Sequence, residues 1–423
     1  MLENSMNRLK KMLLQVTPGV LLSLYHFALA HLGALWYGHP SREFLVIGVT
    51  GTKGKSSTTE YINAIFEEAG YATALLNSIR IKVGDVSTPN NMGRSMPGRS
   101  FIQRFLRRAV TAKCSLAILE MTSEGARQHR HRAIELDALV FTNLEPEHIE
   151  SHGSYENYAD AKFEIGLQLL RSKKRPRYMI ANAGDAESAR YFLLPVEHVL
   201  PFSLSANKPW SADSKGGYFT QDDGKISVQL PGEFSLKNAL AAATVARAFG
   251  IETATIARAL EKVTHIPGRT EEIREGQDFA VVVDYAHTPN SLQALFDAYR
   301  AHKKICILGS AGGGRDTWKR PVVGKIAEES CAYVILTNDD PYDEDPQKII
   351  EEIAAGMEER PEIILGRRDA IRKGLQIAKS GDVVLITGKG VDAMAGKDGI
   401  KTKWSDAEVA REELLKLLAT HAL

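Results

Sequence analysis

Residues 44–62 read FLVIGVTGTKGKSSTTEYI, and the middle of this stretch carries side chains whose types and spacing could hold a polyphosphate. Gly51 and Gly54 free the backbone to turn its N–H groups towards a ligand, and Lys55 adds a point charge. Ser56 offers a hydroxyl to the magnesium ion that accompanies a nucleotide. The spacing departs from G-x-x-x-x-G-K-[ST], because the first glycine would fall on Val49. A glycine-rich turn without a site is the alternative. The apolar run before the loop predicts a buried strand, and Tyr61, Ile62, Ile65 and Phe66 predict a helix over 56–69. Strand, loop and helix are therefore in register for an anion nest.

Other candidates stand at the ends of apolar runs. SLAILE predicts a buried strand ending in Glu120, where a carboxylate can complete a magnesium shell beside a phosphate loop. A surface glutamate is the plain alternative. After the strand candidate DALVFTNL, one loop gathers His148 and His152 with Glu145, Glu147 and Glu150, and Lys162 follows on a predicted helix. Histidines with carboxylates can hold a divalent ion, but H-x-x-x-H in an acidic loop does not by itself specify one. Asp284 and His287, Arg315 and Asp316, residues 338–342, Lys389 and Asp392 each follow a later strand candidate. Open α/β sheets bind ligands at that edge.

Positioning these groups takes two units. Strand alternates with helix, predicting an α/β fold: a phosphate-loop domain with a mostly parallel sheet over 44–266, then a smaller Rossmann-like α/β domain over 267–423. Residues 83–93 read as a loop, 203–223 as loops or a short hairpin, and 99–112 as a helix with Arg104, Arg107 and Arg108 on a solvated face. A balance of 53 basic and 52 acidic residues gives no electrostatic reason to expect a nucleic-acid partner. Cys114, Cys306 and Cys331 lie far apart beside apolar runs, which favours core packing over a metal or a disulfide and suits a reducing cytosol. Residues 1–43 form an apolar helical segment, uncharged over 15–38 and near the ~20 residues of a membrane span. Pro18, Gly33, His26 and His31 weaken a span, so the helix is expected to pack on the protein or to lie peripherally at a membrane surface. A loop that needs cytosolic ATP argues against export.

In order along the chain, GTKGKSS, LEMTSEGARQHR, TNLEPEHIESHGSYENYADAK, VVDYAHTPNSL, GRDTWKRP and NDDPYDEDP resemble motifs of the Mur ligase superfamily, most nearly its tripeptide-synthetase (MurE-type) branch. The resemblance runs from about residue 44 to the end. It implies a monomeric, cytoplasmic, ATP-dependent ligase that adds an amino acid to a muramoyl-peptide precursor of peptidoglycan through an acyl phosphate. By the same resemblance, Gly51, Thr52, Lys53, Gly54, Lys55, Ser56 and Ser57 cradle ATP. Ser56 and Glu120 hold one magnesium ion, and His148 with a carbamylated Lys162 holds a second. Asn238, Arg269, Asp284 and His287 hold adenine, ribose or phosphates, and Ser87, Thr88, Thr122, Gln128 and Arg130 grip the muramoyl peptide. Arg315, Asp339, Asp340, Tyr342, Gly388 and Asp392 match the amino-acid pocket. The chemistry asks for such residues, because a carboxylate must approach an anionic γ-phosphate and cations must spread the charge.

The departures are specific. The branch's N-terminal domain for uridine diphosphate has no counterpart in the 43 residues before the first strand, which keeps open a trimmed ligase acting on a lipid-linked muropeptide, a folate or a polyglutamate. A nucleotide-binding protein without catalysis is a further alternative. Lys53 stands where the family has asparagine, Glu124 where it has histidine, Glu147 where it has aspartate, and Asp392 where it has glutamate. Tyr342 replaces the arginine of D-N-P-R, which removes the bidentate partner for the distal carboxylate of meso-diaminopimelate and makes lysine or another diamine the expected substrate.

Overall fold

The structure is a computed structural model that describes residues 19–147, 149–222, 224–390, 394–395 and 401–421. Its first sheet has eight strands: β1 (Leu45–Thr50), β2 (Thr73–Leu76), β3 (Arg80–Val83), β4 (Val86–Pro89), β5 (Leu116–Glu120), β6 (Ala138–Phe141), β7 (Tyr178–Asn182) and β8 (His198–Phe202), in the order β4-β3-β2-β5-β1-β6-β7-β8. From β2 across to β8 every pairing is parallel, and β3 and β4 add an antiparallel edge. Alternation in β1 divides its side chains between two cores. Ile47 and Val49 face the layer that includes helices Lys55–Glu68 and Glu233–Ala248, and Val46 faces the layer that includes helices Arg99–Thr111 and Tyr155–Arg171. Reversal of the strand order on either side of β1 opens a crevice at its carboxyl end, where the phosphate loop begins.

A small antiparallel sheet follows, built from β9 (Ser211–Asp213), β10 (Gly216–Gln221) and β11 (Gly224–Val228). The second large sheet comprises β12 (Glu271–Glu272), β13 (Ala280–Asp284), β14 (Lys304–Leu308), β15 (Tyr333–Leu336), β16 (Glu362–Ile363) and β17 (Val383–Thr387), in the order β12-β13-β17-β14-β15-β16. Only β12 in it is antiparallel, and Val282 and Val283 point into separate cores on its two faces.

Two expectations are corrected and one holds. The stretch taken for a loop includes β4 and the end of β3, where paired backbone groups extend the sheet although β4 is exposed. The hairpin alternative for residues 203–223 holds: after a short 3-10 turn, β9 and β10 pair antiparallel, and β11 adds a third strand. Cys306 and Cys331 form a disulfide: Cys306 lies on β14 and Cys331 follows the end of helix Lys319–Ser330, with the two Cα atoms 6.1 Å apart; Cys114 is free and buried. Of the apolar N-terminal segment, residues 1–18 lie outside the described residues; the rest contains a helix, Gly19–Trp36, seated on helix Arg99–Thr111 through Gly33 against Ser100 and Gln103. No helix among the described residues is long and apolar enough to cross a membrane.

Candidate active site

The turn after β1 has the backbone its glycines predict. Gly51 has φ 145° and Gly54 φ 80°, and a side chain at Gly54 would run into the carboxamide of Asn238 on helix Glu233–Ala248. Helix Lys55–Glu68 starts directly behind, so its unpaired N–H groups and positive dipole end face the turn. Lys55 Nζ donates to the carbonyls of Gly51 (3.0 Å) and Thr52 (2.8 Å). Burial lowers its proton affinity against the raising influence of Glu120 and Glu147.

Glu120 ends β5, the strand next to β1. Its Oε2 accepts from Ser56 Oγ (2.9 Å) and from the backbone N–H of Ser78 (3.0 Å), and the Ser56 and Ser78 hydroxyls are 2.8 Å apart. Two hydroxyls and a carboxylate are hard oxygen donors of the kind a magnesium ion takes. Ser78 was not singled out by sequence, since a lone serine beyond a short strand carries no motif. Among the described residues no group of three or more His, Cys, Asp or Glu side chains is arranged for a metal, so an ion here would draw on hydroxyls and on its ligand.

Lys162, buried on helix Tyr155–Arg171, donates to the carbonyl of Gly51 (2.7 Å) and stands 4.7 Å from the ring centre of Tyr158. Burial, reinforced by Lys55, holds its proton affinity well below that of a free lysine and favours the uncharged amine. Tyr158 also reaches the loop, with its hydroxyl 3.0 Å from Thr52 Oγ1. His148, the other expected ligand of a second ion, lies outside the described residues, as does Asp392.

The second sheet meets the first at this point. Arg269 Nη2 reaches Ser56 Oγ at 3.3 Å, with its guanidinium 4.4 Å from the Tyr285 ring centre. His287 Nε2 lies 2.7 Å from Glu147 Oε1, which also accepts from Lys53 Nζ at 3.0 Å. Burial and Lys53 lower the pKa of His287 to about 4. Asp284 accepts from the backbone N–H groups of Thr270 and Ala286, both at 2.7 Å, which shapes the turn carrying His287. A cavity of about 540 Å³ lies between these elements. Thr52, Lys53, Gly54, Lys55, Ser56, Ser57, Glu120, Thr122, Asn238, Arg269, Asp284 and His287 line it; Gly51 and Lys162 are joined to it through the loop backbone.

The remaining expected residues form two outlying groups. Arg130 donates to Gln128 Oε1 (2.6 Å) and to the Met96 carbonyl (2.5 Å), and Gln128 donates to Glu124 (2.6 Å). Ser87 and Thr88 stand exposed on β4, outside the cavity lining. Beyond the second sheet, Arg315 lies 4.5 Å over the Tyr342 ring, and Lys389 Nζ donates to Asp340 (2.5 Å) with Asp339 3.9 Å away. Gly388 abuts Asp339, whose carboxylate a side chain there would crowd. Arg367, a further cation in reach of this group, is buried and bidentate to Asp406 (2.8 and 2.6 Å). Sequence reading also passed over Lys319, which is buried and whose proton affinity is lowered by burial against the pull of Glu147 and Asp316. Its place inside GRDTWKRP was the available signal.

A phosphate-loop unit and a second, mostly parallel sheet thus meet at one cavity. Residues 49–246 match the family model of the Mur ligase middle domain and residues 268–390 that of the Mur ligase, glutamate ligase domain. The chain belongs to the Mur ligase family, whose members are ATP-dependent ligases. It is 36% identical over 403 residues to the UDP-N-acetylmuramoyl-L-alanyl-D-glutamate--2,6-diaminopimelate ligase of Syntrophomonas wolfei, covering 92% of this chain and 81% of that one. It is also 36% identical over 422 residues to the UDP-N-acetylmuramyl-tripeptide synthetase of Roseiflexus sp., covering 92% and 82%. A solved UDP-N-acetylmuramoyl-L-alanyl-D-glutamate--2,6-diaminopimelate ligase superposes with a TM-score of 0.60 at 26% identity over 89% of this chain and 79% of that one. Mycobacterium tuberculosis folylpolyglutamate synthase shares the fold, with a TM-score of 0.68 at 17% identity over 98% of both chains.

Proposed function

We propose that this chain joins an amino acid to a muramoyl-peptide acceptor at the expense of ATP, through an acyl phosphate. The observation that carries the reading is the convergence of Lys55, the Ser56–Glu120 pair and the buried amine of Lys162 on one loop. An oxygen of the acceptor carboxylate attacks the γ-phosphorus and ADP leaves; the amino group of the incoming amino acid then attacks the acyl carbon, and phosphate leaves with the amine's proton. Lys55, turning from the Gly51 and Thr52 carbonyls, meets the γ-phosphate charge. Asn238 and Arg269 bound the nucleotide's seat, while Lys53 and His287 hold Glu147 at its mouth.

Ser56 and Glu120 are suited to one magnesium ion, which when bound neutralises charge between phosphate and carboxylate. A second ion calls for another anionic ligand. Lys162 supplies it as a carbamate, since burial lowers the proton affinity that would otherwise hold the amine as an ammonium, which cannot add carbon dioxide. Thr122, Gln128 and Arg130 take the acceptor peptide, and Arg315 takes the α-carboxylate of the amino acid. With Tyr342 at the position of the family's arginine, and with Arg367 and Lys389 engaged by acids, the pocket suits lysine or a similar diamine better than meso-diaminopimelate. We further propose domains over 44–266 and 267–423. Phosphate release with lysine, ornithine or meso-diaminopimelate, with and without UDP-muramoyl-dipeptide, tests the reading. Release that needs both acceptor and amino acid, with a product of matching mass, supports it; release that no acceptor and amino acid stimulate refutes it.

A further inference from the structure

Helix Gly19–Trp36 is apolar on nearly every side, yet only a narrow stripe of it is covered. Ala30, Gly33 and Ala34 pack inwards, whereas Leu24 (58%), Leu32 (59%), Leu35 (65%) and Trp36 (85%) are exposed, as are Val20 and Leu21. A helix that is apolar all round normally lies within a core or in lipid, and a continuous exposed face of this kind marks a docking surface.

The charge around it is one-sided. Residues 19–42 contain no acidic side chain, and the segment 86–119, which includes the helix it sits on, has six basic residues and no acidic one. This imbalance stands out in a chain whose total charge is +1. Gly33 rests on Ser100 and Gln103; Arg104 is one turn from Ser100 and Arg108 one turn from Arg104, so both border the contact, and both are exposed. The neighbouring acids Glu43 and Glu135 pair with Arg107 (2.6 Å) and Arg42 (3.6 Å).

We infer that this helix and its basic border dock on the surface of an anionic lipid bilayer, with the apolar side chains sunk into the headgroup boundary and Arg104 and Arg108 facing lipid phosphates. An apolar helix face rimmed by cations is the composition of an interfacial helix, and anionic lipid supplies both the apolar and the charged complement. The docking does not rest on the ligase reading. It would have a consequence for it, because Ser23 Oγ lies 2.7 Å from His129 Nε2, between Gln128 and Arg130 in sequence, so the helix is tied to the acceptor end of the site.

The test is sedimentation of the full chain with vesicles of phosphatidylcholine alone or with roughly one-third phosphatidylglycerol, at about 0.1 M and about 0.5 M salt. Binding to the anionic vesicles, weakened severalfold by salt, with a blue shift of Trp36 emission that disappears in Trp36→Phe, is expected. Leu32→Glu/Leu35→Glu should lower the bound fraction by about tenfold or more, and Arg104→Glu/Arg108→Glu should remove the preference for anionic lipid, both with an unchanged thermal midpoint. No binding to anionic vesicles at low salt overturns the inference. So does equal binding by both variants, or a concentration-dependent dimer that Leu32→Glu/Leu35→Glu dissolves in a protein that ignores vesicles, which would assign the face to a second copy.

Discussion

His287 Nε2 and Glu147 Oε1 lie 2.7 Å apart, joining the turn after β13 of the second sheet to the loop after β6 of the first. Lys53 Nζ shares the same carboxylate oxygen, and Asp316 accepts from the backbone N–H of Ile149 (3.0 Å) two residues after Glu147. The loop that carries Glu147 is thus held from the phosphate loop and from the second sheet together.

Lys53 and Glu147 are departures from the family pattern that meet in space, so they should behave as a pair. Lys53→Asn alone takes the ammonium from a buried carboxylate that His287 also contacts, and Glu147→Asp alone shortens the reach to both partners. Each single variant is expected to lose catalytic efficiency, and the double variant to recover part of it, with a coupling of about 1–3 kcal/mol in a double-mutant cycle. Strict additivity in kcat/KM would show that the two sites do not cooperate.

Lys55→Ala should lower turnover by about 10²–10³-fold or more and leave the thermal midpoint nearly unchanged, because among the described residues its hydrogen bonds go to loop carbonyls and its work falls on phosphate charge. Steady-state phosphate release beside a melting curve separates the two effects. Turnover within a few-fold of the parent would remove Lys55 from the mechanism.

For Lys162 the expected behaviour depends on both pH and bicarbonate. Its proton affinity is lowered in the fold, so as pH falls below the free-lysine range the unfolded chain takes up this proton first, and stability declines until the buried amine itself ionises, below which it levels off. Carbamate is lost in the same direction. Activity should therefore fall on acidification more steeply in bicarbonate-free buffer, and Lys162→Ala should be nearly inactive but partly rescued by short carboxylic acids. Full activity with an unmodified amine, read by intact mass, would exclude the carbamate.

Selectivity should follow Tyr342. A bidentate guanidinium–carboxylate contact is worth about 1.5–3 kcal/mol, so preference for meso-diaminopimelate over lysine should be roughly 10- to 150-fold lower than in a ligase with arginine there. Tyr342→Arg is expected to recover about tenfold of it, limited by repulsion from Arg315, which now stacks on the tyrosine ring. If the parent already prefers meso-diaminopimelate by more than about a hundredfold in kcat/KM, another cation serves the distal carboxylate.

Local signals sufficed where function is local. The strand, glycine turn and helix around residues 45–68 follow from hydrophobic period and glycine placement, because an anion nest is made by consecutive backbone groups. Glu120 was legible as a strand-end carboxylate. Its bond to Ser56 and the arrival of Ser78 depended on β5 pairing with β1 and on the turn after β2, contacts that span 64 and 42 residues. The Cys306–Cys331 link and the strand β4 were missed for a related reason: this disulfide needs the end of helix Lys319–Ser330 to come down beside β14, and a polar, exposed edge strand has no hydrophobic alternation to betray it. Likewise the apolar character of residues 19–36 was plain in sequence, while which side is covered was decided only by the seat of Gly33 on helix Arg99–Thr111. Sequence determined which residues could do chemistry, since side-chain type and local backbone freedom are written residue by residue. Tertiary structure decided which of them meet, as with His287 and Glu147, because that depends on how two separate sheets close their cores and bring distant loop ends to a common edge.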